Sequence, residues 1–343
     1  MTDYNLIEFP EGIKGNSILV IDNDFLSFKI ASVLEHKCIK VYDKDNEFIG
    51  RFKHRTEFKN SDKFNSEHRV EDSQSLKNDY KNSMSYLFNH FIKQYLKETD
   101  TKEVILVGGG PTNFRDNLPL PTKYKGNRDD TLRPLALKEC KQFGLNNYPS
   151  LISDNCEADD LISMFQFRSS LDTENKIIVL TPDKDAKQTQ GKLYVPGDKL
   201  YDISGVGFVG LKKLTKRTKL EFQGRISIAA QLLLGDSSDN YYGCSYYRIL
   251  TNNSKKSGML TDLKVYELLK NCITDKDYLQ VVHDQYFKWY KDIDHWIDWQ
   301  GNKIEGDYID LLQVYWDVVF MQRWKDDKVD VRKLLITNGI IDE

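Results

Sequence analysis

Three runs of uninterrupted apolar residues punctuate the first half of the chain. SILVID (17–22), EVILV (103–107) and KIIVLT (176–181) show no polar alternation, the pattern of strands covered on both faces rather than wet on one. Between them the period lengthens. From 77 to 97 apolar residues fall at Met84, Leu87, Phe88, Phe91 and Tyr95, one stripe of a helix, and ADDLISMFQF sets Ala158, Ile162 and Phe165 on one side. Strands alternating with helices predict an α/β fold with a mainly parallel central sheet flanked by helices, whose ligand site lies beyond the carboxyl ends of the strands.

The other segments read differently. CIKVYDKDNEFIGRFK (38–53) has the pattern of a hairpin, and the polar stretch 54–76 that of a loop or a partly disordered segment. Residues 111–150 carry Pro111, Pro119, Pro121 and Pro134 among basic residues and interrupt the alternation, so they are expected to protrude from the sheet as an arch. GVGFVGLKK (205–213) reads as a strand, or as a loop and the start of a helix. Beyond 220 the runs RISIAAQLLLG, TDLKVYELLKNC, DYLQVVHDQYFKWYKDI and YIDLLQVYWDVVFMQRW are helical in period. The expected division is a core over 1–220, including the arch, and a helical C-terminal region over 221–343.

At 343 residues and 40% apolar content the chain has enough material for one large α/β domain or two smaller ones. No apolar run approaches the ~20 residues of a membrane span. The segment MTDYNLIEFPEG is acidic and has none of the regions of a signal peptide. These features lead to the expectation of a cytoplasmic protein. Cys38, Cys140, Cys156, Cys244 and Cys272 are scattered without CxxC spacing, which favours reduced thiols over a disulfide framework or a zinc site.

Charge distribution changes the picture more than net charge, which is −3. Lys123, Lys125, Arg128, Arg133, Lys138 and Lys141 form one basic stretch, and Lys212, Lys213, Lys216, Arg217, Lys219 and Arg225 a second. Such stretches are either nucleic-acid-binding surfaces or solvated helix faces. Between them lie two acidic clusters, EADD (157–160) and TPDKD (181–185), and a third, GDSSDN (235–240), follows the second stretch. With Asp22 at the end of SILVID they supply eight carboxylates, whose repulsion in one site is tolerable only with cations between them. All-oxygen donors suit magnesium or manganese, whereas zinc draws on His or Cys. Each cluster also has a plainer reading taken singly. Acids favour helix starts, as in EADD. GDSSDN could be a glycine helix stop followed by an Asp-rich turn.

Taken in order, ILVID (18–22), YKGNR (124–128), EADD, TPDKDAKQ (181–188) and GDSSDN resemble the 5′-nuclease family: flap endonucleases, phage 5′-to-3′ exonucleases and the 5′-nuclease domain of bacterial DNA polymerase I. The resemblance spans roughly 17–245, and a stand-alone phage-type exonuclease is the nearest type. It implies hydrolysis of phosphodiesters near the 5′ ends of duplex or flapped DNA in phage DNA replication, with RNA primers in RNA–DNA hybrids as a further substrate class. It implies two magnesium ions, replaceable by manganese. Asp22, Glu157 and Asp159 match ligands of the first ion; Asp160, Asp183, Asp185 and Asp236 match those of the second, with Asp239 beside them. Lys125 and Arg128 match the residues facing the scissile phosphate, and Tyr124 is placed to stack on a base, with Lys123 and Arg133 as further nucleic-acid contacts.

Two departures accompany the resemblance. The family carries an aspartate near the end of the strand matching EVILV, where this chain has Gly108, Gly109 and Gly110; either the first ion is held more weakly, with water or a nearby acid such as Asp116 instead, and an aspartate restored at Gly108 or Gly110 strengthens metal binding, or the glycines let a nucleic-acid backbone approach closely and the same substitutions weaken DNA binding. After GDSSDN the family's glycine hairpin for duplex DNA is replaced by YYGCSYYRIL. Two rivals stand beside this reading. A catalytically weakened DNA-structure-binding homologue would accommodate the glycines. A haloacid-dehalogenase-type phosphatase would use Asp22 and Asp24 as its DxD loop, but its terminal acidic motif should follow a strand.

Overall fold

The computed structural model describes residues 4–127, 132–215, 218–251 and 258–342. In chain order the elements of the first half are β1 (Ser17–Asp22), α1 (Asn23–Val33), β2 (Glu35–Asp43), β3 (Phe48–Phe52), α2 (Arg55–Lys59), β4 (His68–Leu76), α3 (Tyr80–Thr99), β5 (Glu103–Gly108), α4 (Leu137–Asn147), β6 (Ser150–Ile152), α5 (Ala158–Leu171) and β7 (Lys176–Leu180). There follow β8 (Gly191–Tyr194), β9 (Leu200–Ile203), β10 (Phe208–Lys213), β11 (Thr218–Gln223), α6 (Ile226–Leu234), α7 (Ser245–Leu250), α8 (Asp262–Leu269), α9 (Asp275–Tyr290), β12 (His295–Ile297), β13 (Lys303–Glu305), α10 (Tyr308–Val319) and α11 (Val331–Thr337).

The predicted α/β architecture is present. One six-stranded sheet runs β6-β5-β1-β7-β8-β9, parallel from β6 to β8 and closed by an antiparallel β9. The continuous apolar runs follow from its two covered faces. Leu19, Ile21, Leu106, Ile178 and Leu180 pack against α1, α3 and α4. Their neighbours Ile18, Val20, Ile105, Val107, Ile177 and Val179 pack against α5. The chain leaves β1 toward β5 on one side and returns to β7 on the other. The crevice at the carboxyl ends of β1, β5 and β7 is thus where such a sheet binds ligands.

A third core joins α6 and α8–α11 with Leu220 of β11, as the helical periods past 220 lead one to expect. This region also holds a short hairpin, β12–β13, that the periods did not show. No helix among the described residues is long and apolar enough to cross a membrane.

Two segments differ from expectation. The stretch 54–76 contains α2 and β4, and β4 pairs with all nine residues of β2 in a β3-β2-β4 sheet. Its polar composition reflects wet faces rather than disorder. The described parts of 111–150 do not stand away from the body. Thr122 Oγ1 donates to the carbonyl of Asn240, Lys125 N to that of Asp239, Trp299 N to that of Leu120, and Trp296 Nε1 to that of Pro119. These bonds hold 118–127 against the loop after α6 and the β12–β13 hairpin of the C-terminal region, and α4 lies on α1. GVGFVGLKK is a strand from Phe208, paired with β11.

Candidate metal centre and active site

The ends of the parallel strands open into a cavity of about 440 Å³ whose lining includes nine carboxylates: Asp22, Asp24, Asp116, Glu157, Asp159, Asp183, Asp185, Asp236 and Asp239. Lys125 and Lys184 line it as well. The acids come from segments far apart in sequence, and each is fixed by its local element.

Asp22 ends β1 and caps α1, its Oδ1 accepting from Asp24 N at 2.8 Å and Phe25 N at 3.1 Å. Its Oδ2 accepts from the Thr181 hydroxyl at 3.3 Å, which ties it to the end of β7. Beyond β7, Asp183 Oδ1 accepts from Asp185 N at 2.9 Å, an Asx turn that aims both carboxylates at the cavity. Gln231 of α6 donates to Asp185 Oδ1 at 2.6 Å. GDSSDN begins at Gly235, where φ is +76° and a Cβ would meet Tyr242 Cα at 2.5 Å. Reciprocal backbone bonds between Asp236 and Tyr241 then close the loop that presents Asp236 and Asp239. Oxygen atoms of Asp185, Asp236 and Asp239 lie within 4.8 Å of one another.

Crowding shows in the protonation equilibria. Burial, then the charges of Asp24 and Asp183, push the Asp22 carboxyl up to about 6. Burial, followed by Asp22, Asp183 and Glu157, raises Asp159 well above the carboxylate range. Asp185 is pushed up to about 7 by burial and by Asp183. Asp236 moves the other way despite its burial, because Lys184 and Ser238 hydrogen-bond to it. Lys184 Nζ donates to Asp236 Oδ2 and lies 3.8 Å from Asp185 Oδ1. Lys125 Nζ donates to Glu157 Oε1 and lies 3.8 Å from Asp239 Oδ1. Two ammonium groups thus stand among the acids where cations are needed.

The donor set fits a hard divalent ion, its anionic donors being carboxylate oxygens beside the sulfurs of Cys156 and Met321. Burial pushes the thiol of Cys156 up to about 12, and a hard ion of the magnesium class prefers the oxygens around it.

Several candidates are placed otherwise than expected. Asp160 is no ligand for this cavity. It is fully buried, its two oxygens accept from Arg115 Nη1 at 2.6 Å and Nη2 at 3.0 Å, and it also accepts from the backbone N–H groups of Glu157 and Gln322. Tyr124 does not present a ring to a base. It is 6% exposed, packed in the C-terminal core, with its hydroxyl donating to Glu157 Oε2 at 2.9 Å. Lys123 lies over the Trp299 ring, 5.6 Å from its centroid, and does not line the cavity. Arg133 lines an adjoining groove with Asp24, Phe28 and Lys141. Arg128 lies outside the described residues, as do Lys216 and Arg217 of the second basic stretch. In that stretch Lys212 pairs with Glu221 and Arg225 with Asp275.

The three glycines at the end of β5 are distinct. A Cβ on Gly108 would meet Leu145 at 3.2 Å, and one on Gly110 would fall 2.0 Å from the carbonyl oxygen of Ser153. An aspartate restored at Gly110 therefore collides with backbone. One at Gly108 would start against an apolar side chain, and only Gly109 has open space on the cavity. Sequence reasoning also missed Lys184, visible only as the lysine between the two aspartates of TPDKD, and the fork of Arg115 onto Asp160, which no local pattern announces.

No family model matches the chain, and no curated protein matches it. Solved structures with similar folds include a T5 protein co-crystallised with metal ions, at 13% identity over 78% of this chain and 83% of that one, TM-score 0.43. A bacteriophage T5 flap endonuclease in a pseudo-enzyme–product complex with DNA and metal ions matches at 15% identity over 79% and 88%, TM-score 0.38. T5 5′-exonuclease with bound zinc ions matches at 15% over 88% and 97%, TM-score 0.37.

Proposed function

We propose that the protein is a divalent-metal-dependent 5′ nuclease, acting as a 5′-to-3′ exonuclease or flap endonuclease on DNA. The observation that carries this reading is the convergence of nine carboxylates and two lysines on one open cavity at the strand ends of the parallel sheet. An enzyme that transfers phosphoryl groups needs fixed positive charge for an anionic substrate and acids to hold the cations that supply most of it. Asp22, Glu157, Asp159 and Asp183 would hold one ion, and Asp185, Asp236 and Asp239 the other. When bound there, such ions would supply water activation and stabilisation of the leaving oxygen. Magnesium suits the oxygen donors best, with manganese as substitute.

The protein's own groups do the rest. Lys125 reaches the cavity from the segment carrying YKGNR, and its ammonium, now shared between Glu157 and Asp239, faces the space a phosphodiester would occupy. There it would offset charge developing on the phosphoryl oxygens. Asp183 and Asp185 are held by one Asx turn, so neither can move without the other. Arg133 and Lys141 on the adjoining groove supply positive charge for the nucleic-acid backbone beyond the scissile bond.

The phosphatase reading fares worse because the GDSSDN loop follows α6 rather than a strand. The test is to incubate the protein with a 5′-labelled flap duplex, a linear duplex and para-nitrophenyl phosphate, each with magnesium or with chelator. Metal-dependent release of short 5′-phosphorylated products, lost in Asp183→Asn/Asp185→Asn, is expected. Hydrolysis of para-nitrophenyl phosphate without cleavage of either duplex would sink the proposal.

A further inference from the structure

The end of β5 gives the cavity no carboxylate. Gly109, Gly110 and Pro111 line it there, whereas the ends of β1 and β7 contribute Asp22 and Asp183. The nearest atom that a Cβ on Gly109 would meet is Asp24 Oδ2, at 3.9 Å. The space a side chain from β5 would enter is therefore faced by an acid from α1.

The position of Asp24 is built. Asn23 before it is fully buried, donates from Nδ2 to the carbonyl of Lys141 at 3.1 Å and accepts from the Ser27 hydroxyl at 3.2 Å. A Cβ on Gly144 would lie 2.3 Å from Asn23 Oδ1, so α4 can approach α1 this closely only with glycine there. That approach brings Lys141 Nζ to 2.6 Å from Asp24 Oδ2. Both side chains are more than a third exposed, 41% for Asp24 and 37% for Lys141. Such a pair holds a carboxylate in place weakly, and a divalent ion can displace the lysine at little cost.

Resting on the reading of the cavity as a divalent-metal site, the geometry points to Asp24 as a metal-ligating residue that replaces the carboxylate β5 lacks, so that the β1–α1 junction contributes two ligands, Asp22 and Asp24. Charge and ligand count set affinity at oxygen sites. An acid moved from one wall of the cavity to the facing one preserves both.

The test is manganese binding to the full chain without nucleic acid, by calorimetry and by the electron paramagnetic resonance signal of free Mn²⁺, with thermal melts confirming the fold of each variant. Asp24→Asn should weaken manganese binding on the order of tenfold or more. Gly109→Asp added to Asp24→Asn should recover most of that loss, because its carboxylate enters the same space from β5. Lys141→Met should leave affinity unchanged or raise it. Asp22→Asn serves as the reference for the site as a whole. Loss of binding in Asp22→Asn with Asp24→Asn unchanged would overturn this inference and leave the proposed function standing. Failure of the wild-type chain to bind manganese would overturn both.

Discussion

Neutralising Asp185 should stabilise the metal-free protein. Burial and Asp183 push this carboxyl from its ordinary 3.8 to about 7, so the folded state binds a proton that the unfolded state has already released. A group raised in this way contributes stability that is fully present below its unfolded value and is lost as pH rises through its folded one. At pH 8 the ionised Asp185 costs on the order of 2–4 kcal/mol, the upper figure being the full shift and the lower allowing for relaxation of the loop. Asp185→Asn keeps the oxygen that accepts from Gln231 and removes the charge. Urea unfolding in chelator from pH 5 to pH 8 should therefore show the wild type losing stability across that window and the variant losing much less, with a higher midpoint at pH 8. Manganese should narrow the gap, since an ion bound only by the folded state adds about 2.7 kcal/mol at a hundred times its dissociation constant, and Asp185→Asn gives up part of that gain. A variant less stable than wild type in chelator at pH 8, or with an unchanged pH slope, would refute the account of a site strained by its own charge.

Other outcomes follow from the same structure. Arg115→Met should cost about 3–5 kcal/mol in denaturant unfolding, because Asp160 is left buried and charged without its partner, and adding Asp160→Leu should restore part of it. Burial pushes Asp317 up to about 6, so Asp317→Asn should raise stability by about 1–3 kcal/mol at pH 8 and by nothing near pH 4. Lys125→Ala should lower the single-turnover cleavage rate on the order of 10²-fold, whereas an equal loss in DNA affinity with unchanged chemistry would make Lys125 an ordinary phosphate contact.

The parts of the fold legible in the sequence are those fixed by burial on both faces. The apolar runs of β1, β5 and β7 could only be central strands, and the acids following β1 and β7 had to lie at their carboxyl ends. What local pattern could not show is pairing that depends on distant residues. The strand β4, HRVEDSQSL, is held by its ladder with β2 rather than by an apolar face. Tyr124, set between two lysines, has the sequence context of a base-stacking ring, yet a core formed by helices more than a hundred residues later accepts it. Asp160 shares its motif with Glu157 and Asp159 and is separated from them only by the helical turn that aims it inward at Arg115. Asp24 and Asp22 differ in the same way. Spacing shows that both lie at one helix start but not that a bare strand end faces one of them.

The Arg115 fork has a consequence for how the site comes into being. Arg115 Nε donates to the carbonyl of Val318 and Nη2 to that of Phe320, while Gln322 N reaches Asp160 and Gln188 holds both Val319 and Met321. The floor of the cavity is thus stitched to the chain just after α10. During synthesis every acid of the cavity has been added once Asp239 is made, but roughly 80 further residues must follow before the stitch can form, on the order of 4–16 s at ribosomal rates. Until then the nascent chain carries the acids without a floor beneath them, so the proposed nuclease activity should arrive only after the segment beyond α10 has been made.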